Sequence, residues 1–144
     1  MKSVIGLALF LFSGFAFSQG IEVTHAWVAA TAPGQQVGGA YMDISSSEDA
    51  RLVNAESPVA EKVMIHAMAM KKGVMEMRRK KYLEIPAGKK VSLAPGKMHL
   101  MLMDIKKPLV VGDVVPIRLD FETKGGKSSV NVDARVTSMT SQMH

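Results

Sequence analysis

Short segments in which apolar and polar residues alternate follow one another along most of the chain. Residues that favour turns, such as Gly, Pro, Asp and Lys, separate them. Regular strand-length segments of this kind predict an all-β sandwich or barrel, and we expect one sandwich of seven to nine strands. The segments are IEVTHAWVAA, GGAYMDISS, ARLVNAES, EKVMIHAMAM, GVMEMRRKKYLEI, KKVSLAP, KMHLMLMDI, VVPIRLDFET and SSVNVDARV.

The sequence contains little indication of helices. No window keeps a capped helical period over three turns, although SPVAEKVMIHAM is ambiguous. The chain has no internal repeat and no linker, so residues 19–136 are predicted to form one domain. The last residues, TSMTSQMH, lose the alternation and are expected to form a flexible tail over 137–144.

The first eighteen residues have the layout of a secretory signal. Lys2 precedes an apolar run from Val4 to about Phe17, with small residues at Ala16 and Ser18. We expect cleavage before Gln19 and export to the periplasm. A membrane anchor is the alternative, but the run is short for a span of roughly 20 residues and is interrupted by glycine and serine.

Composition excludes several kinds of chemistry. The 144 residues include no cysteine, which removes thiol catalysis, disulfides, zinc–thiolate sites and type 1 copper sites. The formal net charge is +5, and six cations crowd one short region. They form either a solvated hairpin face or a docking patch for an acidic partner. Nucleic acid is not an expected partner, since no binding motif is present. The six are Lys71, Lys72, Arg78, Arg79, Lys80 and Lys81.

Methionine and histidine are concentrated in the middle of the chain. Eight of the twelve methionines lie between Met64 and Met103, with two of the four histidines. Because neighbouring residues of a strand point to opposite faces, His99, Met101 and Met103 share one face while the intervening leucines share the other. In the same way, the segment VMIHAMAM separates a face of Met and His from an aliphatic face. A methionine-rich core is the simpler alternative.

The thioethers and imidazoles of these segments favour one kind of metal ion. Calcium, magnesium and manganese need carboxylates, and zinc makes little use of thioethers. Haem requires a large apolar cleft. Soft thioethers select Cu(I), with imidazole as an acceptable co-ligand. The residues therefore indicate a Cu(I) site.

The spacing of these residues resembles a known family. His66, Met77, His99 and Met101 reproduce the pattern H-x10-M-x21-H-x-M of the periplasmic copper chaperones called PCuAC. The surrounding segments, including AWVAATAPGQQVGGAYM and GDVVPIRLDFE, are also similar, so the resemblance covers residues 21–136.

The resemblance implies a cupredoxin-like Greek-key β-sandwich that binds one Cu(I) through His66, Met77, His99 and Met101. It also implies delivery to a copper-acceptor protein, and we expect this transfer to occur by ligand exchange. This acceptor would be subunit II of cytochrome c oxidase, which carries the CuA centre, or another assembly chaperone. Association with the membrane would occur only through the acceptor, and a monomer is expected.

Other residues have a subsidiary place in these predictions. Met68 is expected to be either an accessory ligand or a packing residue. An apolar rim around the metal is expected from Met64, Met70, Met75 and Met103. His25 is predicted to be half-buried and Trp27 to lie in the core. In the tail, Met139, Met143 and His144 form either an accessory arm, with Cu(II) bound through His144, or an extension without function.

Three other functions stay open. A copper-sequestering resistance protein would use the same site without an acceptor. A β-sandwich interaction module would use its methionines as a partner surface. An enzyme is least favoured, since neither a nucleophile–base set nor paired carboxylates stand out.

Overall fold

The computed structural model describes residues 15–18 and 20–139, and strands account for most of them. The apolar–polar alternation explains this, because each strand has one face that can be buried. The all-β prediction is therefore confirmed. The strands are β1 (Phe15–Ser18), β2 (Ile21–Ala29), β3 (Val37–Ser46), β4 (Ala50–Glu56), β5 (Ala60–Lys71), β6 (Val74–Lys80), β7 (Leu83–Ile85), β8 (Lys90–Leu93), β9 (His99–Ile105), β10 (Val114–Thr123) and β11 (Gly126–Thr137).

Hydrogen bonds join these strands into a closed, two-layered arrangement. The order is β1-β2-β11-β10-β4-β5-β9-β3-β8, and β2 also pairs with β3. One layer contains β4, β10 and β11, the other contains β5, β9, β3 and β8, and β2 pairs with a strand of each. The pair Ala55–Val63 connects β4 to β5. This is the predicted β-sandwich.

The core lies between the two layers and follows the two-residue period of the strands. In β10, four buried residues alternate with more exposed ones, and β11 repeats the pattern opposite it. Full burial of each large aliphatic side chain contributes about 1.5–3 kcal/mol to stability. The largest fully buried side chains are Phe121, Ile21, Met42, Ile44, Leu52, Ile85, Leu100, Leu102, Ile117, Leu119, Val23 and Val28.

The described residues form eleven strands, so the predicted number of seven to nine is wrong. The segment 73–85 was expected to be one strand but divides into β6 and β7. The division occurs because β6 pairs with β5 whereas β7 pairs with β4. The ambiguous segment before His66 is part of β5.

The predicted signal peptide lies mostly outside the described residues. Residues 1–14 and Gln19, which follows the expected cleavage site, are not among them, whereas Phe15–Ser18 pair with β2 as β1. Within the described part, no helix has the length and apolar character needed to cross a bilayer.

A bulge interrupts the pairing of β2 with β3. Thr24 pairs with Asp43 and Trp27 with Tyr41, so two residues of β2, His25 and Ala26, lie opposite Met42. His25 has a φ of 54°, in the left-handed region that non-glycine residues rarely adopt. Such an extra residue turns the side chains that follow it to the other face of the strand.

Candidate metal centre

The two histidines of the predicted site lie directly opposite each other. β5 and β9 are antiparallel, and their register pairs His66 with His99 and Met64 with Met101. Residues that are directly opposite in such a pair have side chains on the same face. The centroids of the two imidazole rings are 5.7 Å apart, with the ring planes at 78°. Two residues distant in the sequence are thereby neighbours.

Met77 reaches the same face from the other side of β5. On β6, Met77 pairs with Met68 and Arg79 pairs with His66. Met77 is therefore a diagonal neighbour of His66, as Met101 is on β9. The structure thus brings the four predicted ligands onto one face of three adjacent strands, with His66 on the central one.

A hydrogen bond orients the ring of His99. Its Nδ1 lies 3.2 Å from the backbone oxygen of Lys97. A carbonyl oxygen only accepts hydrogen bonds, so Nδ1 of His99 carries the proton and donates it. In the neutral ring Nε2 then keeps its lone pair, which is the arrangement found in histidines that bind metals. His99 is buried, with 6% of its surface exposed.

The ring of His66, unlike that of His99, is not held by a hydrogen bond at Nδ1. This atom is buried and has no hydrogen-bond partner among the described residues. Leaving such an atom unsatisfied costs about 1–3 kcal/mol. Burial lowers the pKa of His66 below its ordinary 6.5, and the charges of His99 and Arg79 lower it further. The ring is therefore neutral at neutral pH, and a bound cation would satisfy the free nitrogen.

Two aromatic side chains extend this face toward β2. The sequence had not linked them to the site. The ring centroid of Tyr41 is 6.2 Å from that of His99 and 4.5 Å from that of Trp27. Gly39, which pairs with Met101, leaves space for this arrangement, because a Cβ there would lie 2.5 Å from the Tyr41 hydroxyl oxygen. Burial raises the pKa of Tyr41 above 10.0, so its hydroxyl stays protonated.

Two further methionines are placed as favourably as the predicted ligands. Met64 is directly opposite Met101 and two residues from His66, and Met68 is directly opposite Met77. Both are half-buried. Met68 was expected as an accessory, whereas Met64 was assigned to the rim. The alternation of β5 already placed Met64 beside His66, and only its partner on β9 was hidden from the sequence.

The remaining candidates lie farther from the two rings or outside the described residues. Met70 and Met75 are opposite each other near the end of the β5–β6 hairpin, and Met103 is opposite Lys62. Met139 follows β11 and is 36% exposed. The other two tail candidates, Met143 and His144, are outside the described residues.

Two predictions about β2 are wrong. His25 was expected to be half-buried, but 80% of its side chain is exposed and its Nδ1 is 3.2 Å from an oxygen of Asp43. Trp27 was expected in the core, but it is only half-buried and contacts Tyr41 on the outer face. The bulge explains both placements, because His25 lies in the bulge itself and Trp27, which follows it, is turned to the outer face.

The donor atoms available at this face are imidazole nitrogens and thioether sulfurs. Among the described residues, no group of three or more His, Cys, Asp or Glu side chains could hold a metal ion. A site here therefore has to include methionine. Soft ions accept thioethers, whereas hard divalent cations require oxygen ligands.

Comparison with known proteins identifies relatives of the whole domain. Residues 21–136 match the family described as "Putative lipoprotein LpqE-like". The curated protein named "Putative lipoprotein Lxx21020", from Leifsonia xyli subsp. xyli, is 34% identical over 119 residues, which cover 82% of this chain and 71% of that protein.

Solved structures of copper-binding proteins are also similar to this chain. The copper-bound PCuAC domain from PmoF2 is 27% identical, with a TM-score of 0.68, and the match covers 85% of this chain and 97% of that domain. The structure of CuI-DR1885 from Deinococcus radiodurans is 33% identical, with a TM-score of 0.58, over 78% of this chain and 75% of that protein. The chain thus has the cupredoxin-like β-sandwich fold of the PCuAC domains, and it belongs to the LpqE-like family.

Proposed function

We propose that this protein is an exported copper chaperone that binds one Cu(I) through His66, Met77, His99 and Met101. The observation that carries the proposal is the register of β6, β5 and β9, which gathers two imidazoles and two thioethers on one face. The unpartnered Nδ1 of His66 supports it, since a metal ion would satisfy this buried atom. Structural neighbours described as copper-bound PCuAC and CuI-DR1885 support the choice of metal.

The donor set suits transport better than permanent storage. Four neutral ligands leave the site with the +1 charge of Cu(I), and none forms the strong bond of a thiolate. An acceptor with cysteine ligands can therefore remove the ion by replacing one ligand after another. Thioethers also do not form disulfides, which would disable a thiol carrier in an oxidising compartment. Oxidation to Cu(II) weakens binding here, because Cu(II) prefers nitrogen and oxygen ligands in a tetragonal geometry.

The proposed acceptor is the CuA centre in subunit II of cytochrome c oxidase, or another assembly chaperone that supplies it. The exposed cations of the β5–β6 hairpin, including Lys71, Lys72 and Arg78, are suited to meet acidic residues on such a partner. The protein would act as a periplasmic monomer, and it would associate with the membrane only through the acceptor. The proposal requires no catalytic step.

An anaerobic Cu(I) titration followed by X-ray absorption tests the site. We expect one tightly bound ion with two nitrogen and two sulfur neighbours. His66→Ala should lower the affinity at least about tenfold, which corresponds to 1.4 kcal/mol. His25→Ala is the matched control, because that ring is largely exposed on β2. Full affinity in the His66 variant, or coordination without sulfur, contradicts the assignment.

A second experiment separates delivery from sequestration. The copper-loaded protein is mixed with a soluble, metal-free fragment of subunit II, and the two are separated and assayed for copper. Transfer to the fragment supports the chaperone proposal. Retention of copper by the donor, together with copper sensitivity but normal oxidase activity in a deletion strain, would instead favour a sequestering protein.

A further inference from the structure

The β5–β6 hairpin ends in a tight turn that fixes the register of its two strands. Lys71 pairs with Val74, and the two residues between them, Lys72 and Gly73, have φ values of 51° and 78°. Positive φ at both central residues is the signature of a type I′ turn, which matches the twist of the strands. The register of the hairpin therefore follows from the turn, and methionines are placed opposite methionines.

Two methionine pairs follow from this register. Met70 is directly opposite Met75, and Met68 is directly opposite Met77. Opposite residues have Cβ atoms about 4.5–5.5 Å apart, and successive residues on one face are separated by roughly 6.5–7 Å along the strand. Four flexible thioethers thus occupy the corners of a small rectangle, which we call the methionine array (Met68, Met70, Met75 and Met77).

The methionine array is too exposed to be explained as core packing. Met70 is 67% exposed, and Met75 and Met77 are each 49% exposed. Among the described strands, β6 pairs with β5 alone, and six of its seven residues are exposed. Polar residues would serve a solvated edge strand equally well. The side chains therefore have a purpose other than filling the interior.

We propose that the methionine array is a second Cu(I) site, weaker than the His66–His99 centre, through which copper enters and leaves. This inference rests on the function proposed above. Thioethers are the only donors that the array offers, so it selects soft monovalent ions. Lys71, Lys72 and Arg79 lie nearby and raise the local positive potential, which weakens the binding of another cation.

Met77 connects the two sites. It belongs to the array through its pair with Met68, and it is also a diagonal neighbour of His66. An ion held by the array can therefore move to the imidazoles while remaining bound to Met77. The exposed end of the hairpin is the part of this path that an acceptor or donor reaches first.

The test uses Ag(I), a soft ion that is not oxidised in air, and the purified protein labelled with ¹³C at the methionine methyl groups. We expect two phases in an NMR titration. The first equivalent should shift the methyl signal of Met101, and the second should shift those of Met70 and Met75. The double variant Met70→Leu/Met75→Leu should lose the second phase and keep the first, and it should release Cu(I) to a chelator at least about threefold more slowly.

Met103→Leu is the matched control, because Met103 lies on the same face but opposite Lys62 rather than a methionine. Leucine replaces methionine at nearly constant volume, so the fold is preserved. A second phase that persists in the double variant, or that shifts only Met139 and Met143, overturns the array as a site. A titration with a single phase, at Met101, would also overturn the array as a site. Absence of the first phase would instead overturn the function proposed above.

Discussion

The two faces of β9 differ in both burial and chemistry. Leu100 and Leu102 point between the layers and are completely buried. His99, Met101 and Met103 alternate with them and point outward, where the two methionines are only half-buried. The same backbone therefore serves two purposes, since one face stabilises the sandwich and the other presents donor atoms. β5 repeats this division, with Ile65 facing the core and His66 facing outward.

This division teaches that the candidate metal centre is energetically separable from the core. Complete burial of a leucine contributes about 1.5–3 kcal/mol, whereas a half-exposed methionine removes much less apolar surface from water. Substitutions of the half-buried methionines on the outer face should therefore change binding and leave the fold intact. Substitutions on the two faces test that separation, and the largest effect is expected in the core.

Leu100→Ala should lower the free energy of unfolding by about 2–5 kcal/mol, because the lost side chain leaves a cavity between the layers. Urea unfolding of the metal-free protein measures this change. The variant should still bind one equivalent of Cu(I) under conditions in which it is folded. Unchanged stability would contradict the assignment of Leu100 to the core, and loss of copper binding by the folded variant would contradict the separation of the faces.

Met101→Leu should have the opposite effect, because it should weaken copper binding and leave the stability nearly unchanged. Cu(I) affinity should fall at least about tenfold, since a thioether ligand is replaced by a hydrocarbon, while stability should change by less than about 1.5 kcal/mol. Competition with a Cu(I) chelator measures the affinity. Met42→Leu, in the core on β3, is the matched control and should leave the affinity unchanged. Equal affinities of the Met101 variant and the parent would exclude Met101 as a ligand.

Arg79→Gln should raise Cu(I) affinity slightly, up to about fivefold, because a positive charge opposite His66 is removed. Exposed charges contribute about 0.2–1 kcal/mol, and salt screens them. The gain should therefore disappear in about 1 M salt, where the screening length is about 3 Å. Lys124→Gln, in the turn between β10 and β11, provides a control. A gain that is independent of salt would indicate a steric rather than an electrostatic effect.

The smallest effect concerns pH. Because the pKa of His66 in the folded protein lies below its ordinary 6.5, the folded state binds fewer protons at this ring than the unfolded state. Stability must then fall as pH decreases through 6.5 and level off below the pKa of the folded ring. The metal-free protein should therefore lose more stability between pH 7.5 and pH 5 than His66→Gln does. Equal losses in urea unfolding would contradict the lowered pKa.

The sequence predicted those parts of the structure that depend on local pattern. The alternation in β9 correctly assigned Leu100 and Leu102 to the interior, and the turn residues correctly separated most of the strands. The class of fold followed from these two signals. The preference for Cu(I) came from the chemistry of the histidines and methionines, whereas the set of four candidate ligands came from the resemblance to the PCuAC family. The structure has these four residues on one face, and their role in binding copper remains a prediction.

The sequence could not predict features that depend on which strand pairs with which. Met64 became a neighbour of Met101 only through the register between β5 and β9, and Tyr41 approached His99 only through the position of β3. The change of partner between β6 and β7 has the same origin. A strand carries its own two-residue period, but its partner is decided by packing across the whole domain.

The bulge in β2 has a consequence for evolutionary change in this protein. Ile21 and Val23 face the interior at odd-numbered positions, and after the bulge Val28 does so at an even-numbered position. A regular strand that kept all nine residues of β2 would direct the indole of Trp27 inward and Val28 toward water. Deleting either His25 or Ala26 would instead leave one residue opposite Met42, so Trp27 and Val28 would keep their faces. Loss of one residue should therefore be tolerated at positions 25 and 26, whereas a deletion elsewhere in β2 would exchange inside and outside for part of the strand.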